Sequence, residues 1–455
     1  MSDTASNQNG GAIADLAPLW RAKQQKAWYW YDWANSAYVT TVSTVLAAPY
    51  LISVAKEAAV DNRVSLLGIP VDPGSLPAYL VTGSTILSAI LLPPLGSYVD
   101  RVANKKGLLA LFAWIGAAFG SLLFFTRGDN WQLGAIALVG ANLFLAASLV
   151  VNDSILPLIS EEFERDRVSS RGWAWGYLGG GLLLVVNLAV VTVLPFGLSL
   201  GSATRWSMLS ACIWWAGFAL IPFFRLNDIP PANTTPVEGG ILKASFGQLA
   251  ETFRDMKQYP VAVTFLLAYL FFNDGIQTVI TQSSTYGTEQ LKFSQTVLIA
   301  TILIVQFVAY GGALLFGRLA ERYGTKRTIL SGIAVWMVIV TIAMILPERS
   351  PLPFYALAVA IGIVLGGTQA LARSYFSLLI PKGKEAEYFS FYHAVDRGTS
   401  WFGALLFGVV HQVTGSFRPA IFALIILFVI GGGLLLKVDT AKGIRDAGNE
   451  MPPVV

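Results

Sequence analysis

The stretch GSYVDRVANKK, residues 96–106, lies between two long apolar runs and decides how the rest of the chain can be arranged. A related stretch, GRLAERYGTKR, follows at residues 317–327, again between two apolar runs. In both copies three residues separate a Gly from an acid–Arg pair, and two cations close the stretch. A short polar loop repeated deep inside an apolar chain predicts a membrane protein built from two related halves.

The composition indicates a chain embedded in lipid. Of the 455 residues, 55% are hydrophobic and 13% are charged, about half of the roughly 25% charge of soluble domains, and the mean hydropathy is +0.60. The net charge of +4 is distributed over loops, which does not favour nucleic-acid binding. The lone Cys212 lies in an apolar run, which excludes an intrachain disulfide or a thiolate metal site.

Twelve apolar runs are long enough for membrane helices, each of which needs roughly 20 residues. The predicted spans 1–6 are residues 27–53, 76–99, 107–126, 132–158, 172–196 and 204–224. The predicted spans 7–12 are residues 260–284, 294–316, 328–346, 354–380, 391–413 and 416–436. Residues 1–19 lack the apolar core of a cleavable signal peptide, so we expect span 1 to be its own insertion signal.

The predicted organisation is six plus six helices around a polar linker. The linker contains Pro230-Pro231 and Gly239-Gly240, and we interpret it as a flexible crossover followed by a surface helix. The predicted regions are a tail (1–26), a bundle (27–224), the linker (225–259), a second bundle (260–437) and a second tail (438–455).

The Lys and Arg residues of the loops predict the orientation in the membrane. If both termini are on one side, the segments on that side hold 22 of these residues and the segments on the other side hold 7. We therefore predict that both ends are cytoplasmic, and we expect the inner membrane of a bacterium. A second repeated motif supports a duplication of one half of the chain: Arg171-Gly-Trp-Ala-Trp175 is followed by the similar Arg397-Gly-Thr-Ser-Trp401. Internal repeats around a central site are the usual construction of secondary transporters.

The two repeated loops resemble the signature between helices two and three, and eight and nine, of the major facilitator superfamily. Glu321 replaces the usual Asp in the second copy, and the first copy has Ala103 and Asn104 where Gly and a cation are usual. Within that superfamily the chain resembles the vacuole effluxer family. The matching stretches are YDWANSAY (31–38), GYLGGG (176–181), NDGIQT (273–278) and GGTQALARS (366–374).

This resemblance implies an all-α fold of twelve transmembrane helices in two pseudo-symmetric halves. It also implies a monomeric transporter that binds a small solute within the lipid bilayer, uses a proton or ion gradient and needs no cofactor. The best-described family member exports amino acids from the fungal vacuole, so amino acids or similar zwitterions and carboxylates are the expected substrates.

Four ionisable residues lie on the spans that line the central cavity in this superfamily: Asp32, Asp153, Asp274 and Arg373. An ionisable side chain inside a membrane span is a functional candidate by default. Burial disfavours the charged form of a carboxyl group, which allows proton exchange near neutral pH. Asp32 and Asp274 are therefore the candidate proton-coupling residues. The alternative is that each carboxylate is permanently paired with an Arg.

Neighbouring polar residues complete the predicted central site. Asn35 and Gln277 offer hydrogen bonds one turn from Asp32 and Asp274. The guanidinium of Arg373 can grip a substrate carboxylate with two parallel hydrogen bonds. Alternatively, Arg373 neutralises Asp32 or Asp153 across the seam between the halves.

The repeated loops predict a gate on the cytoplasmic side. Pseudo-symmetry places Asp100 opposite Arg397 and Glu321 opposite Arg171 when that side is closed, and opening would break both pairs. The adjacent Arg101, Arg322 and Asp396 belong to the same predicted gate. The alternative is that the cations of these loops mainly set the orientation of the chain in the membrane.

Several classes of function lack a signal. No P-loop motif is present, which excludes an ATP motor of that type. His393 and His411 have no companions at metal-ligand spacing, and we interpret His393 as a helix-end histidine. We predict no enzyme and no metal site. The alternatives to an amino-acid transporter are a drug or metabolite exporter of the same fold and a non-transporting membrane receptor or scaffold.

Overall fold

The computed structural model describes residues 5–228, 254, 256–398 and 400–454; the side chains of residues 5–17, 295, 397–398 and 400–401 lie outside that description. Most of the predicted linker, including its predicted surface helix, therefore falls outside the described residues. The described part is a helical bundle with a single two-stranded hairpin. This agrees with the predicted all-α membrane protein.

Within residues 5–228 the first half of the chain forms eight α-helices. They are α1 (Ala5–Tyr38), α2 (Ala47–Ala58), α3 (Leu76–Asp100), α4 (Lys105–Ser121), α5 (Trp131–Ile155), α6 (Arg165–Val193), α7 (Leu200–Phe218) and α8 (Leu220–Arg225). A π-helical stretch, Val39–Leu46, joins α1 to α2, and together they make one long span. The strands β1 (Val64–Leu66) and β2 (Ile69–Val71) pair antiparallel before α3.

The second half forms nine helices within the described residues. They are α9 (Pro260–Thr285), α10 (Gln295–Tyr323), α11 (Thr325–Ile345), α12 (Pro351–Leu378), α13 (Glu385–Gly398), α14 (Ser400–Thr414), α15 (Phe417–Ala423), α16 (Ile425–Lys437) and α17 (Thr440–Asp446). Eleven described helical stretches are long and apolar enough to cross a membrane. The predicted span 11 corresponds to α13 and α14, on either side of residue 399.

Local sequence explains how the two repeated loops end and begin helices. In the first loop, the Asn104 side chain accepts a hydrogen bond from the Gly107 amide at 2.8 Å and caps α4. The departure from the usual cation at that position therefore supplies a helix cap. In the second loop, Gly324 has a φ of +90° between α10 and α11, a conformation that a residue with a side chain rarely adopts.

Both repeated loops lie on one face of the bundle, which we call the termini face. Lys106 lies 3.3 Å from Asp228, near the start of the predicted linker. In the second loop, the Lys326 ammonium donates to the carbonyl of Val438 in the C-terminal tail at 2.7 Å. These contacts bring the loops, the linker and the tail to the same level.

The two halves have separate apolar cores and meet along a seam. One cluster of buried apolar side chains spans residues 27–226 with Ala386, and the other spans residues 261–444. Near the termini face, Gly96 of α3 packs against Ala386 of α13, and Gly317 of α10 packs against Ser170 of α6. No comparable packing joins α3 to α14 within the described residues. The halves are therefore closed against each other on the termini face.

Candidate functional site

Four side chains from the two halves meet in one buried group, which we call the seam cluster: Asp32, Asp153, Arg373 and His393. One guanidinium nitrogen of Arg373 lies 3.1 Å from Asp153 Oδ1, and the other lies 3.1 Å from Asp32 Oδ2. The second oxygen of Asp153 lies 3.0 Å from His393 Nε2. The first half thus supplies both carboxylates, and the second half supplies the guanidinium and the imidazole.

Arg373 makes two further hydrogen bonds, both to Ser169. Its Nε donates to Ser169 Oγ at 2.9 Å, and one terminal nitrogen also donates to the Ser169 carbonyl at 3.0 Å. Its guanidinium carbon lies 4.6 Å from the ring centre of Trp28 and 5.5 Å from that of Trp173, within the range of cation–π attraction. Of the two predicted roles of Arg373, pairing across the seam is the arrangement in this structure.

The depth of the seam cluster places it near the termini face. Arg373 lies five residues before the end of α12, and Asp153 lies two residues before the end of α5. At about 1.5 Å per residue, both are within roughly 8 Å of a helix end. The cluster therefore lies where the halves close rather than at mid-membrane.

Asp274 lies deeper and in a different environment. It is 14 residues into α9, which is about 21 Å along the helix. Its Oδ2 accepts a hydrogen bond from the Gly403 amide, in the first turn of α14, at 2.7 Å. Its Oδ1 is buried without a hydrogen-bond partner. We call this atom the open oxygen of Asp274, meaning that it has no hydrogen-bond partner. A carboxylate at mid-depth with an open oxygen is able to accept a proton or another cation.

The remaining residues of the predicted central site lie close to these two groups. Asn35 is buried, and its side-chain amide donates to the Tyr31 carbonyl at 2.8 Å. Gln277 is half-buried, one turn beyond Asn273. Asp396, assigned to the gate from sequence, contacts two residues of its own half: it lies 3.0 Å from the Tyr269 hydroxyl and 2.5 Å from the Asn273 side-chain amide.

The first loop holds the start of α13. Asp100 Oδ1 accepts from the Ala386 amide, and its Oδ2 accepts from the Glu387 amide, both at 2.9 Å. The Lys105 ammonium lies 3.2 Å from the same carboxylate. A carboxylate at a helix N-terminus accepts hydrogen bonds from free amides and interacts favourably with the helix dipole. The Arg397 side chain lies outside the described part, so the Asp100–Arg397 pair stays a prediction, and Arg101 lies half-buried just after α3.

The acid of the second loop, Glu321, makes only a long ion pair across the seam among the described residues. The predicted partner of Glu321 is Arg171, but the ion pair in the structure is with Arg167, at 3.9 Å. The reason is that α6 begins at Arg165, seven residues before the predicted span 5, so residue 167 is level with the loop. Arg171 is exposed, and the Arg322 guanidinium stacks over the Tyr323 ring at 5.2 Å.

Asp166, which was not predicted as a site residue, joins α6 to the second half of the chain. Asp166, in the first turn of α6, accepts hydrogen bonds from the hydroxyls of Thr325 and Ser374, each at 2.5 Å. Both hydroxyls belong to the second half. The preceding Arg165 donates to the Ser377 carbonyl at 2.8 Å. Asp166 therefore adds a cross-half contact beside the Glu321–Arg167 pair.

Comparison with known proteins now identifies the family. The family model described as "Vacuole effluxer Atg22 like" matches residues 21–448. The chain belongs to the Atg22-like vacuole effluxer family. It is 32% identical over 442 residues to an uncharacterised MFS-type transporter, YxiO, of Bacillus subtilis, covering 94% of this chain and 98% of the relative. It is 25% identical to autophagy-related protein 22 of Yarrowia lipolytica, covering 84% and 79%.

Solved structures agree on the fold. The proton:xylose symporter XylE has a TM-score of 0.68 over 92% of this chain and 96% of its own, at 12% identity. The human organic anion transporter MFSD10 has a TM-score of 0.66 over 91% and 99%, at 13% identity. The predicted resemblance, the major facilitator fold and a transporter function in a membrane are thereby confirmed. Membership in a transporter family also agrees with the prediction that the chain is not an enzyme.

One sequence signal could have linked the two sides of the seam cluster in this Atg22-like protein. Asp153 and Arg373 are 220 positions apart, nearly the 221 that separate Gly96 from Gly317. The two residues thus lie at closely corresponding positions of the two halves, on α5 and α12, and pair with each other across the seam. His393, Ser169 and Asp166 carry no comparable signal, because they lie 240, 204 and 208 positions from Asp153, Arg373 and Ser374, which does not match the repeat.

Proposed function

We propose that this Atg22-like transporter moves amino acids or similar small zwitterions and carboxylates by alternating access. The observation that carries the proposal is the contact of Arg373 with Asp32 and Asp153 of the other half. A guanidinium that binds two carboxylates when the termini face is closed has the geometry to bind a substrate carboxylate when those partners move away. The exchange of partners would link substrate binding to the motion of the halves.

The proposal includes coupling to protons through Asp32 or Asp274. Asp274 has one open oxygen at mid-depth, whereas both oxygens of Asp32 have partners in Arg373 and Asn152. With the termini face closed, Asp274 is thus the better placed of the two to accept a proton. The description of the family as a vacuole effluxer supports export as the direction.

The excess of Lys and Arg on the termini face supports a cytoplasmic location for that face. The relative in Bacillus subtilis supports a bacterial inner membrane as the site of action. A drug or metabolite exporter of the same fold remains an outcome that the transport test can reveal.

The test is transport by the purified protein in proteoliposomes that contain a pH-sensitive dye. Radiolabelled amino acids, short peptides, sugar acids and a cationic amphiphile are added one at a time. We expect uptake and a proton signal for amino acids, with the proton signal abolished by Asp274→Asn. The exposed Asp129 provides the control Asp129→Asn, which should leave both signals unchanged.

Three outcomes separate the parts of this proposal. Uptake of amino acids with no proton signal would overturn proton coupling and retain the substrate class. A response to the cationic amphiphile alone would overturn the amino-acid assignment in favour of drug export. A proton signal that is lost in Asp32→Asn but kept in Asp274→Asn would assign coupling to the seam cluster.

A further inference from the structure

We propose that the seam cluster is a proton-binding site, in which the His393–Asp153 pair holds one proton while the termini face is closed. The site would link closure to the pH of the compartment at that face. This inference rests on the proposed alternating access, and it assigns a second proton to a place separate from Asp274.

The geometry isolates the cluster from water. The exposed fractions of the side chains are 3% for Asp153 and Arg373, 7% for His393 and 10% for Asp32. His393 Nε2 lies 3.0 Å from Asp153 Oδ2, and His393 Nδ1 is buried without a hydrogen-bond partner. The carboxylate of Asp153 is therefore the group that anchors the imidazole ring.

The balance of charge within the cluster calls for one proton. With a neutral imidazole, one guanidinium faces two carboxylates, and one negative charge is left uncompensated away from water. An uncompensated buried charge costs several kcal/mol. Protonation of the imidazole gives two cations against two anions.

The histidine is the member of the cluster suited to carry this proton. Histidine is the side chain whose charge ordinarily changes between pH 5 and 8. Asp32 already accepts from Arg373 and, at 3.3 Å, from the Asn152 amide, and Arg373 stays charged. Because His393 and Asp153 interact directly, the proton belongs to the pair.

The other ionisable groups around α13 complete the electrostatic picture. Among the elements packed against α13, α5 presents Asp153, α3 ends at Asp100 with its Lys105 partner, and α9 presents Tyr269 through the stacked Tyr392 ring. The helix itself carries Glu385, Glu387, Asp396 and Arg397, the last with its side chain outside the described part, and Lys384 directly precedes the helix.

Because the cluster is divided between the two halves, binding of the proton depends on whether the halves are closed or open. Both acids belong to the first half, and both bases belong to the second. Opening at the termini face separates the imidazole from Asp153 and exposes it to water, where it releases its proton to that compartment. Closing takes up one proton from the same compartment. Low pH at the termini face therefore favours closure.

The test follows opening by the accessibility of a cysteine within the seam. Cys212 is the lone cysteine and is buried, so Cys212→Ala gives the background. Ser170→Cys places a reporter that is 1% exposed against Gly317. Labelling by a membrane-impermeant maleimide is measured from pH 5.5 to 8 in nanodiscs. Each rate is divided by that of the exposed reporter Ser65→Cys on β1, which corrects for the pH dependence of the reaction of an exposed thiol.

We expect the normalised rate to rise several-fold with pH, at most tenfold per pH unit because one proton is involved. His393→Gln should flatten this dependence. The chain has two histidines, so His411→Gln is the matched control and should keep it. A flat profile in the background, or an unchanged slope in His393→Gln, would overturn the proposal.

Two further points keep the test decisive. If His393→Gln does not fold, Asp153→Asn replaces it: the midpoint of the pH dependence should move to lower pH, and an unmoved midpoint would contradict the assignment. No substrate is needed, so a pH-dependent seam together with failed amino-acid transport would overturn the proposed substrate and retain this site.

Discussion

The aspartates Asp153 and Asp274 are both almost fully buried, with 2% and 1% of their surface exposed, but the protein uses them differently. Asp153 binds Arg373 and His393 across the seam and has partners on both oxygens. Asp274 binds an amide of its own half and keeps one oxygen open. A carboxylate with all partners in place holds one conformation together, whereas a carboxylate with an open oxygen is available to a ligand.

The difference in depth agrees with this division. The seam cluster lies near the termini face, where the halves must part for that side to open. Asp274 lies near mid-membrane, where secondary transporters place their substrate and ion sites. Burial alone therefore does not distinguish the two roles, and the partners of each oxygen do.

The largest effect is expected for Arg373→Leu. Removal of the guanidinium leaves Asp32 and Asp153 without their shared cation, and breaking a buried ion pair in this way costs about 3–5 kcal/mol. We expect a strongly lowered midpoint of thermal unfolding in detergent and no transport. Arg373→Lys keeps the charge but loses the fork geometry, so its midpoint should lie between those of the wild type and Arg373→Leu. Equal midpoints for all three proteins would contradict a stabilising role for the cluster.

The next effect compares the two aspartates directly. Asp153→Asn replaces the carboxylate that binds Arg373 and His393. Hydrogen bonds to a charged group are each worth about 1.5–3 kcal/mol, so the variant should lower stability and increase opening at the termini face. Asp274→Asn keeps an oxygen for the Gly403 amide, so its stability should change by about 1 kcal/mol or less. Its proton signal in proteoliposomes should nevertheless disappear.

The same pair of measurements, unfolding and proton movement, decides whether the comparison holds. Stability lost to the same extent in both variants would make Asp274 a structural residue. Proton movement that survives in Asp274→Asn would remove its proposed role. If Asp153→Asn has the stability of the wild type and opens at the termini face to the same extent, then the number of partnered oxygens does not separate the roles of Asp153 and Asp274.

The sequence predicted the fold well because membrane insertion depends on local hydropathy. Runs of roughly 20 apolar residues and the excess of loop cations depend on neighbouring residues alone. The repeated loops then supplied the division into halves. The apolar runs did not predict where helices begin in the polar segments: α6 starts at Arg165 and α13 at Glu385, several residues before the predicted spans.

The candidate site was predicted only in part, because its contacts join distant positions. Asp32, Asp153, Asp274 and Arg373 were found as charges inside apolar runs. Their grouping required the packing of the two halves: Arg373 is 341 positions from Asp32. Asp166 was missed since it lies before the predicted span 5, in a segment assigned to a loop.

The smallest expected effect distinguishes Asp166 from Glu321. Asp166→Asn leaves an amide where a carboxylate accepts two hydroxyls of the other half, and the loss of about 1–2 kcal/mol should raise labelling of the Ser170→Cys reporter roughly tenfold. Glu321→Gln is the matched control, because Glu321 is 39% exposed and 3.9 Å from its cation, and such surface pairs contribute about 0–1 kcal/mol. A larger opening in Glu321→Gln than in Asp166→Asn would restore the loop acid as the gate and make the hydroxyl contacts of Asp166 secondary.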